Sequence, residues 1–129
     1  MAATDKLYGK YKDIAHFLII YTIDAHPIGS ASPYSTKELP AAFSKDKNGV
    51  PVLQPQSYEQ RVALAKKTVE EAEIRVPVLI DEFDNPVWFT YGPAPNIAYL
   101  IDKDGAVILR QAWYDALKME EAVIKLSGK

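Results

Sequence analysis

The sequence predicts a single α/β domain over residues 1–129, with a mixed sheet of about four strands and helices on both faces. Two short, almost continuous apolar runs, residues 17–23 and 78–81, are typical of strands buried on both faces of a parallel sheet. A strong helical pattern that opens at Ser57 lies between them and supplies the crossover that parallel strands need. A hairpin then adds two antiparallel strands, which makes the sheet mixed.

Local signals predict the first two helices. A short helix over residues 4–14 begins with a cap at Thr4 or Asp5. In the second helix, the side chains of Ser57 and Gln60 are spaced as a capping box. The apolar stripe of this second helix is Val62, Ala65, Val69 and Ala72, whereas Arg61, Lys66, Lys67, Glu70 and Glu71 are expected to face water.

A third, shorter helix is expected after the second strand. Asp84 or Asn85 caps its start, and Pro86 suits the first turn because its missing N–H would have no partner there. Gly92 ends it.

The last third of the chain is predicted as a hairpin and a helix. Strands at 97–101 and 106–110 are joined by a turn that ends at Gly105, where positive φ is required. Asp115 then caps a C-terminal helix over residues 116–126. Its apolar face is Met119, Val123 and Leu126.

A long proline-rich insertion, residues 27–56, follows the first strand. It contains five prolines, and residues 35–43 form a helical turn in our prediction. Loops longer than about 15 residues in a compact domain are usually functional or disordered. The insertion is therefore either a solvated loop or a lid over the strand ends.

The bulk composition excludes several classes of partner. A net charge of −2, with no cluster of basic and aromatic residues, indicates that the chain does not bind nucleic acid. No apolar run reaches the ~20 residues that cross a bilayer, and the N-terminus has no signal-peptide pattern, so we expect no membrane association and a cytoplasmic location.

Cysteine is absent, which rules out disulfides, thiolate metal sites and a cysteine nucleophile. The chain has only two histidines, His16 and His26, and Asp24 and His26 alone are too few ligands for a metal. We therefore expect no metal and no cofactor. His16 is expected to be structural.

Four segments resemble the iodothyronine deiodinase family and its thioredoxin-like relatives. Tyr21-Thr-Ile-Asp-Ala-His-Pro27 resembles the family's Tyr-Ile-x-Glu-Ala-His-Pro segment. Ser57-Tyr-Glu-Gln-Arg61 resembles the opening of a family helix, and Pro77-Val-Leu-Ile-Asp-Glu-Phe-Asp-Asn85 resembles a strand that ends in Asp-x-x-Asp-Asn. Tyr91-Gly-Pro-Ala-Pro-Asn-Ile-Ala-Tyr99 resembles a fourth segment in the same order. The resemblance covers roughly residues 7–110 and implies a thioredoxin-like fold.

The resemblance implies a site at the end of the first strand. It places Tyr21, Asp24 and His26 at active-site positions, with Asp24 where the family has the longer glutamate. It places Pro95 at the position of a cis-proline. From the placement of the long insertion we further predict a pocket at Asp24 and His26, with Trp88 or Tyr91 nearby.

The family's selenocysteine or cysteine nucleophile, and the strand that carries it, have no counterpart here, so thiol redox and deiodinase activity are not expected. Three functions remain open. The first is a non-catalytic domain that binds a small molecule or peptide near Tyr21, Asp24, His26 and Pro95. The second is an enzyme of another class, with His26 as a base oriented by Asp24 and Tyr21 as an acid. The third is a fragment of a larger redox domain.

The absent strand would lie between the strands at 17–23 and 97–101. We predict that these two strands pair directly, which orders the sheet as 78–81, 17–23, 97–101 and 106–110. We also predict a homodimer, because the chain has a surplus of large apolar side chains in its second half: Trp88, Phe89, Trp113 and Tyr114.

Overall fold

The computed structural model describes residues 2–92 and 96–128 of the chain. The predicted order of helices and strands is confirmed in this part. The predicted cis bond between Ala94 and Pro95, and Pro95 as a site residue, lie outside the described residues. The elements are helix α1 (Ala2–Tyr11), strand β1 (Ile19–Tyr21), a 3-10 turn (Ala42–Ser44), α2 (Tyr58–Glu71), β2 (Val78–Ile80), α3 (Pro86–Tyr91), β3 (Ala98–Ile101), β4 (Val107–Gln111) and α4 (Ala116–Ser127).

The strands form two separate two-stranded sheets. β1 and β2 are parallel, with Ile20 opposite Leu79, and β3 and β4 are antiparallel, with Ala98 opposite Gln111. Both pairings confirm the prediction. The prediction of one sheet of about four strands is wrong, because β1 does not pair with β3 in the part of the chain that the structure describes. The crossover helix α2 and the hairpin turn each specify one pair, whereas no sequence signal specifies a contact between the two pairs.

The hairpin turn follows the local prediction closely. Gly105 has a φ of 84°, the left-handed conformation that glycine adopts without steric cost. The carboxylate of Asp102 accepts hydrogen bonds from the backbone N–H groups of Asp104 and Ala106, both at 2.9 Å. The turn is therefore held by its own side chain as well as by the ladder.

Two of the predicted helix caps are present. The Ser57 hydroxyl accepts from the Gln60 N–H at 3.1 Å, and the Asp115 carboxylate accepts from the Lys118 N–H at 3.1 Å. The second half of the capping box is different, because the Gln60 side chain accepts from the Gln56 N–H. Each cap satisfies an N–H that has no partner within its helix.

The N-terminal cap was predicted incorrectly. Thr4 and Asp5 lie inside α1, which begins at Ala2. The Asp5 carboxylate instead accepts hydrogen bonds from the backbone N–H groups of Arg75 and Val76. It therefore ties the first helix to the segment before β2.

Helix packing gives a small core. α1 contacts α4, α2 contacts β2, and α4 contacts β3. Leu126, predicted on the apolar face of α4, is exposed. The core of the described residues contains five buried hydrophobic side chains: Leu7, Ala65, Val76, Met119 and Val123.

The strands of the parallel pair are covered on one face, not on both as predicted. Ile19 and Tyr21 are half-buried, and so are Val78 and Ile80 on β2. The side chains between them point the other way and are exposed: Ile20 and Leu79. The prediction is wrong because burial of the face that carries Ile20 and Leu79 requires a further layer of structure, and the small core does not extend to that side.

Candidate functional site

The candidate site lies where the chain leaves β1. Asp24 and His26 follow this strand, as the sequence predicts, and both are half-buried. Oδ1 of Asp24 accepts a hydrogen bond from the His26 backbone N–H at 3.0 Å. The aspartate thus shapes the local turn, which is a frequent role of this short side chain.

Residues 27–56, which we call the arch, fold back onto this turn. The Ser32 hydroxyl donates to the Ala25 carbonyl and the Ser44 hydroxyl donates to the His26 carbonyl, both at 2.7 Å. The Gln54 side chain closes the arch with a reciprocal pair to the Asp24 backbone, at 3.1 Å to its N–H and 2.9 Å to its carbonyl. The arch is therefore attached to the turn by specific hydrogen bonds, although most of its residues are exposed. Its helical turn lies at Ala42–Ser44, at the end of the predicted stretch.

The imidazole ring of His26 is oriented by the arch. Its Nδ1 lies 2.7 Å from the carbonyl oxygen of Leu39. A carbonyl oxygen only accepts, so Nδ1 carries the proton in this contact. In the neutral ring, Nε2 is then the unprotonated nitrogen, and within the described residues it makes no hydrogen bond. The arrangement presents one hydrogen-bond acceptor beside the turn at Asp24.

Tyr21 is positioned on the side of β1 that faces α2. Burial raises the pKa of its hydroxyl to about 12, and the nearby Asp24 carboxylate acts in the same direction. Thr68 and Arg61 on α2 partly offset this rise in pKa. Tyr21 is therefore a neutral phenol at physiological pH and a poor proton donor.

This raised pKa predicts a loss of stability at alkaline pH. Because the folded-state pKa of Tyr21 lies above its ordinary value of 10.0, the stabilisation is complete below pH 10 and is lost as pH rises towards 12. The loss should reach about 2 kcal/mol of unfolding free energy between pH 9 and 11.5. Urea unfolding at the two pH values should show a smaller loss for Tyr21→Phe. A loss of stability in Tyr21→Phe as large as that of the wild type would contradict this assignment. So would an equally reduced loss in the control Tyr58→Phe, whose side chain is exposed.

Of the two aromatic candidates on α3, Trp88 contacts the arch, whereas Tyr91 packs against Tyr99. The indole N–H of Trp88 donates to the Tyr34 hydroxyl at 3.2 Å, and the two ring centroids are 6.0 Å apart. Tyr91 belongs to a different cluster, with its ring centroid 5.2 Å from that of Tyr99. Asp24, His26 and Trp88 thus each contact the arch, and among the described residues no hydrogen bond links Trp88 with His26.

Two cavities of the described residues lie away from this turn. One of about 300 Å³ is lined by Tyr8, His16 and Leu18 among others. The other, of about 600 Å³, lies beside Tyr58 and Phe83. The predicted pocket at Asp24 and His26 remains a prediction.

The sequence analysis did not predict a buried polar cluster around Arg61. Arg61, predicted to face water, is 2% exposed, and its guanidinium donates to the carbonyls of Asp81 and Glu82 at 3.0 and 2.7 Å. It also donates to the Asn85 side chain at 2.8 Å. The sequence signal for this cluster is the polar segment after the second strand. Its carbonyl oxygens and the Asn85 side chain are acceptors that an arginine guanidinium can bind.

The carboxylate of Asp81 holds the start of α3. It is 2% exposed and accepts hydrogen bonds from the N–H groups of Val87 and Trp88, both at 3.0 Å. Asn85 occupies the cap position in a left-handed conformation, but its side chain does not cap the helix. The predicted cap at Asp84 or Asn85 is therefore replaced by Asp81, four residues further upstream than Asn85.

The fold is mixed α/β, and its polar site follows the first of two parallel strands. No protein-family model matches the chain. Over 106 residues the chain is 28% identical to type I iodothyronine deiodinase of Xenopus laevis. The matched segment covers 82% of this chain and 36% of that protein. The chain thus spans about a third of the length of the curated relative that it matches. The similarity supports the deiodinase-like relationship that the four motifs indicate.

Over 2–92 and 96–128, no helix combines the length and the apolar character that a membrane crossing requires. In the same ranges, no group of three or more histidine, aspartate or glutamate side chains is placed to hold a metal ion.

Proposed function

We propose that this chain is a deiodinase-like, thioredoxin-related domain that binds a small molecule or peptide beside Asp24 and His26 without thiol chemistry. The observation that carries the proposal is the fixed ring of His26. Its Nδ1 is bound to the Leu39 carbonyl, and Nε2 is left as an acceptor with no partner in the described residues. A ring held in this way recognises a donor without further ordering cost.

Binding accounts for the geometry better than acid–base catalysis does. A base of the kind expected here is oriented by a carboxylate on its ring, but the Asp24 carboxylate contacts the His26 backbone. The expected acid, Tyr21, has a pKa of about 12 and keeps its proton at neutral pH. The absence of cysteine removes the nucleophile that thiol exchange or reductive deiodination needs.

The ligand of this proposal is a hydrogen-bond donor with an apolar or aromatic body. Nε2 of His26 accepts from an O–H or N–H group. The Tyr34–Trp88 pair, on the arch and α3, supplies an aromatic surface linked to the same turn. Phenols and tyrosine-containing peptides have both features.

We expect N-acetyl-L-tyrosinamide, which carries a phenol and amide donors, to shift the backbone NMR signals of residues 24–26 in a saturable titration. His26→Asn should weaken this binding about tenfold, because the asparagine amide can still donate to Leu39 while the Nε2 acceptor is lost. A hydrogen bond in a preorganised site contributes about 1–1.5 kcal/mol, which is a factor of about ten.

A matched variant separates binding from folding. His26→Gln places an amide near the Nε2 position and gives up the contact with Leu39, so it should retain more binding than His26→Asn. Equal affinity of the wild-type chain and His26→Asn would overturn the proposal. Signal shifts that do not saturate, or that lie away from the arch, would do so as well.

A further inference from the structure

We propose that Asn48 is a site of spontaneous deamidation and that the ion pair between Lys67 and Asp46 sets the rate of this reaction. Asn48 lies in a turn of the arch, residues 46–50, which follows the 3-10 turn. The reaction modifies the chain covalently and is independent of the ligand proposed for His26.

The reaction needs only the chain and water, and asparagine is among the thermolabile residues of proteins. The backbone nitrogen of Gly49 loses its proton to hydroxide and attacks Cγ of Asn48. A C–N bond forms, the bond between Cγ and the side-chain nitrogen breaks, and that nitrogen takes up a proton and leaves as ammonia. Water then adds to one of the two carbonyls of the cyclic imide and opens the ring. The product is aspartate or isoaspartate, and in isoaspartate the main chain runs through Cγ.

Asn48 is the best placed for this reaction of the three asparagines in the chain. Its side chain is exposed and makes no hydrogen bond among the described residues. Gly49 has no side chain to obstruct the attack, and no heavy atom lies within 4 Å of the position that a Cβ would take there. Asn85 precedes a proline, whose nitrogen has no proton to lose, and Asn96 precedes a bulky β-branched residue.

The folded turn slows the reaction. The Gly49 N–H donates to the Asp46 carbonyl at 3.0 Å, so the attacking nitrogen keeps its proton while the turn is closed. Oδ1 of Asp46 also accepts from the N–H groups of Asn48 and Val50, at 2.8 and 2.9 Å. An anion on the Gly49 nitrogen would lie close to this carboxylate, which opposes its formation. Deamidation therefore proceeds from the open turn, and its rate follows the fraction of chains in which the turn is open.

Lys67 on α2 holds the turn closed. Its ammonium group pairs with Oδ2 of Asp46, whose side chain is only 5% exposed. The hydrogen bond from Lys67 holds the pKa of the Asp46 carboxyl below its ordinary value, so the ion pair persists at neutral pH. Loss of the lysine should raise the open fraction of the turn, and with it the rate of deamidation, about two- to fivefold.

Tandem mass spectrometry of the tryptic peptide 48–61 measures the rate on the full chain, kept folded at pH 8 and 37 °C. We expect the wild type to gain mass at Asn48 over several weeks, as –NH₂ is replaced by –OH, with no gain at Asn85. Lys67→Met should react about two- to fivefold faster than the wild type. Lys67→Arg, which keeps the ion pair, and the control Lys66→Met, at an exposed neighbouring position, should keep the wild-type rate. No gain at Asn48, or equal rates in Lys67→Met and Lys66→Met, would overturn the proposal.

Isoaspartate at position 48 should loosen the arch, because it lengthens the main chain of the turn by one atom. Oδ1 of Asp46 can then no longer accept from both N–H groups. The Val52 N–H donates to the Ser44 carbonyl at 2.8 Å across the same turn, and it should exchange about tenfold faster in the separated isoaspartate form. This comparison uses the wild-type sequence, so it does not depend on the folding of a variant. Unchanged exchange at Val52 would overturn the link between the modification and the arch.

Discussion

Arg61→Lys should lower the free energy of unfolding by about 2–4 kcal/mol, the largest effect that we expect from a single conservative change. Arg61 binds three acceptors on the segment after β2, and its guanidinium geometry allows all three contacts at once. The ammonium group of lysine lacks the planar fork of the guanidinium and therefore reaches fewer of these acceptors at once. The remaining carbonyls would be left buried with a poorly satisfied cation.

Urea unfolding followed by circular dichroism measures this effect, and Arg75→Lys is its matched control. Arg75 also hydrogen-bonds the chain, through the Asp5 carbonyl, but its side chain is mostly exposed. We expect the control to change stability by less than about 0.5 kcal/mol. If both variants shift the unfolding midpoint equally, Arg61 has no special role in joining α2 to the strand end.

Asp81→Ala should destabilise the fold by about 2–3 kcal/mol, because the N–H groups of Val87 and Trp88 lose their acceptor. The helix α3 should then fray at its start. A red shift of tryptophan fluorescence should accompany the loss, since Trp88 lies in the first turn of this helix.

Two further variants make the Asp81 result specific. Asp81→Asn keeps one carbonyl oxygen and should lose about half as much stability as Asp81→Ala. Asp84→Ala, at an exposed position three residues further on, should be nearly neutral. A large effect from Asp84→Ala with a small one from Asp81→Ala would restore the cap that the sequence predicts.

The sequence predicts the elements of this fold well because each carries a local signal. Ser57 and Asp115 cap their helices, and Gly105 turns the hairpin, in each case through contacts within a few residues. The arrangement of the two sheets has no comparable signal. An apolar run predicts a strand but does not indicate which strand lies beside it. The predicted direct pairing of β1 with β3 is therefore wrong for the described part of the chain.

The sequence places Asp24 and His26 directly after the first strand, but it does not predict the contacts that hold them. A strand end followed by Asp24 and His26 marks the place, and the structure brings both residues under the arch. The partner of the His26 ring, a backbone carbonyl at Leu39, has no side-chain signature in the sequence. Arg61 was placed in water because a charged residue on a helix is usually exposed, and its buried acceptors become apparent only in three dimensions.

The arch is attached to the turn through backbone atoms. Ser32, Ser44 and Gln54 bond to backbone atoms of residues 24–26 and not to their side chains. The Ala25 side chain takes no part in these anchors, whereas Asp24 also holds the turn through its contact with the His26 N–H. Under the proposed binding function, variation at Ala25 therefore changes the surface of the turn without a compensating substitution in the arch.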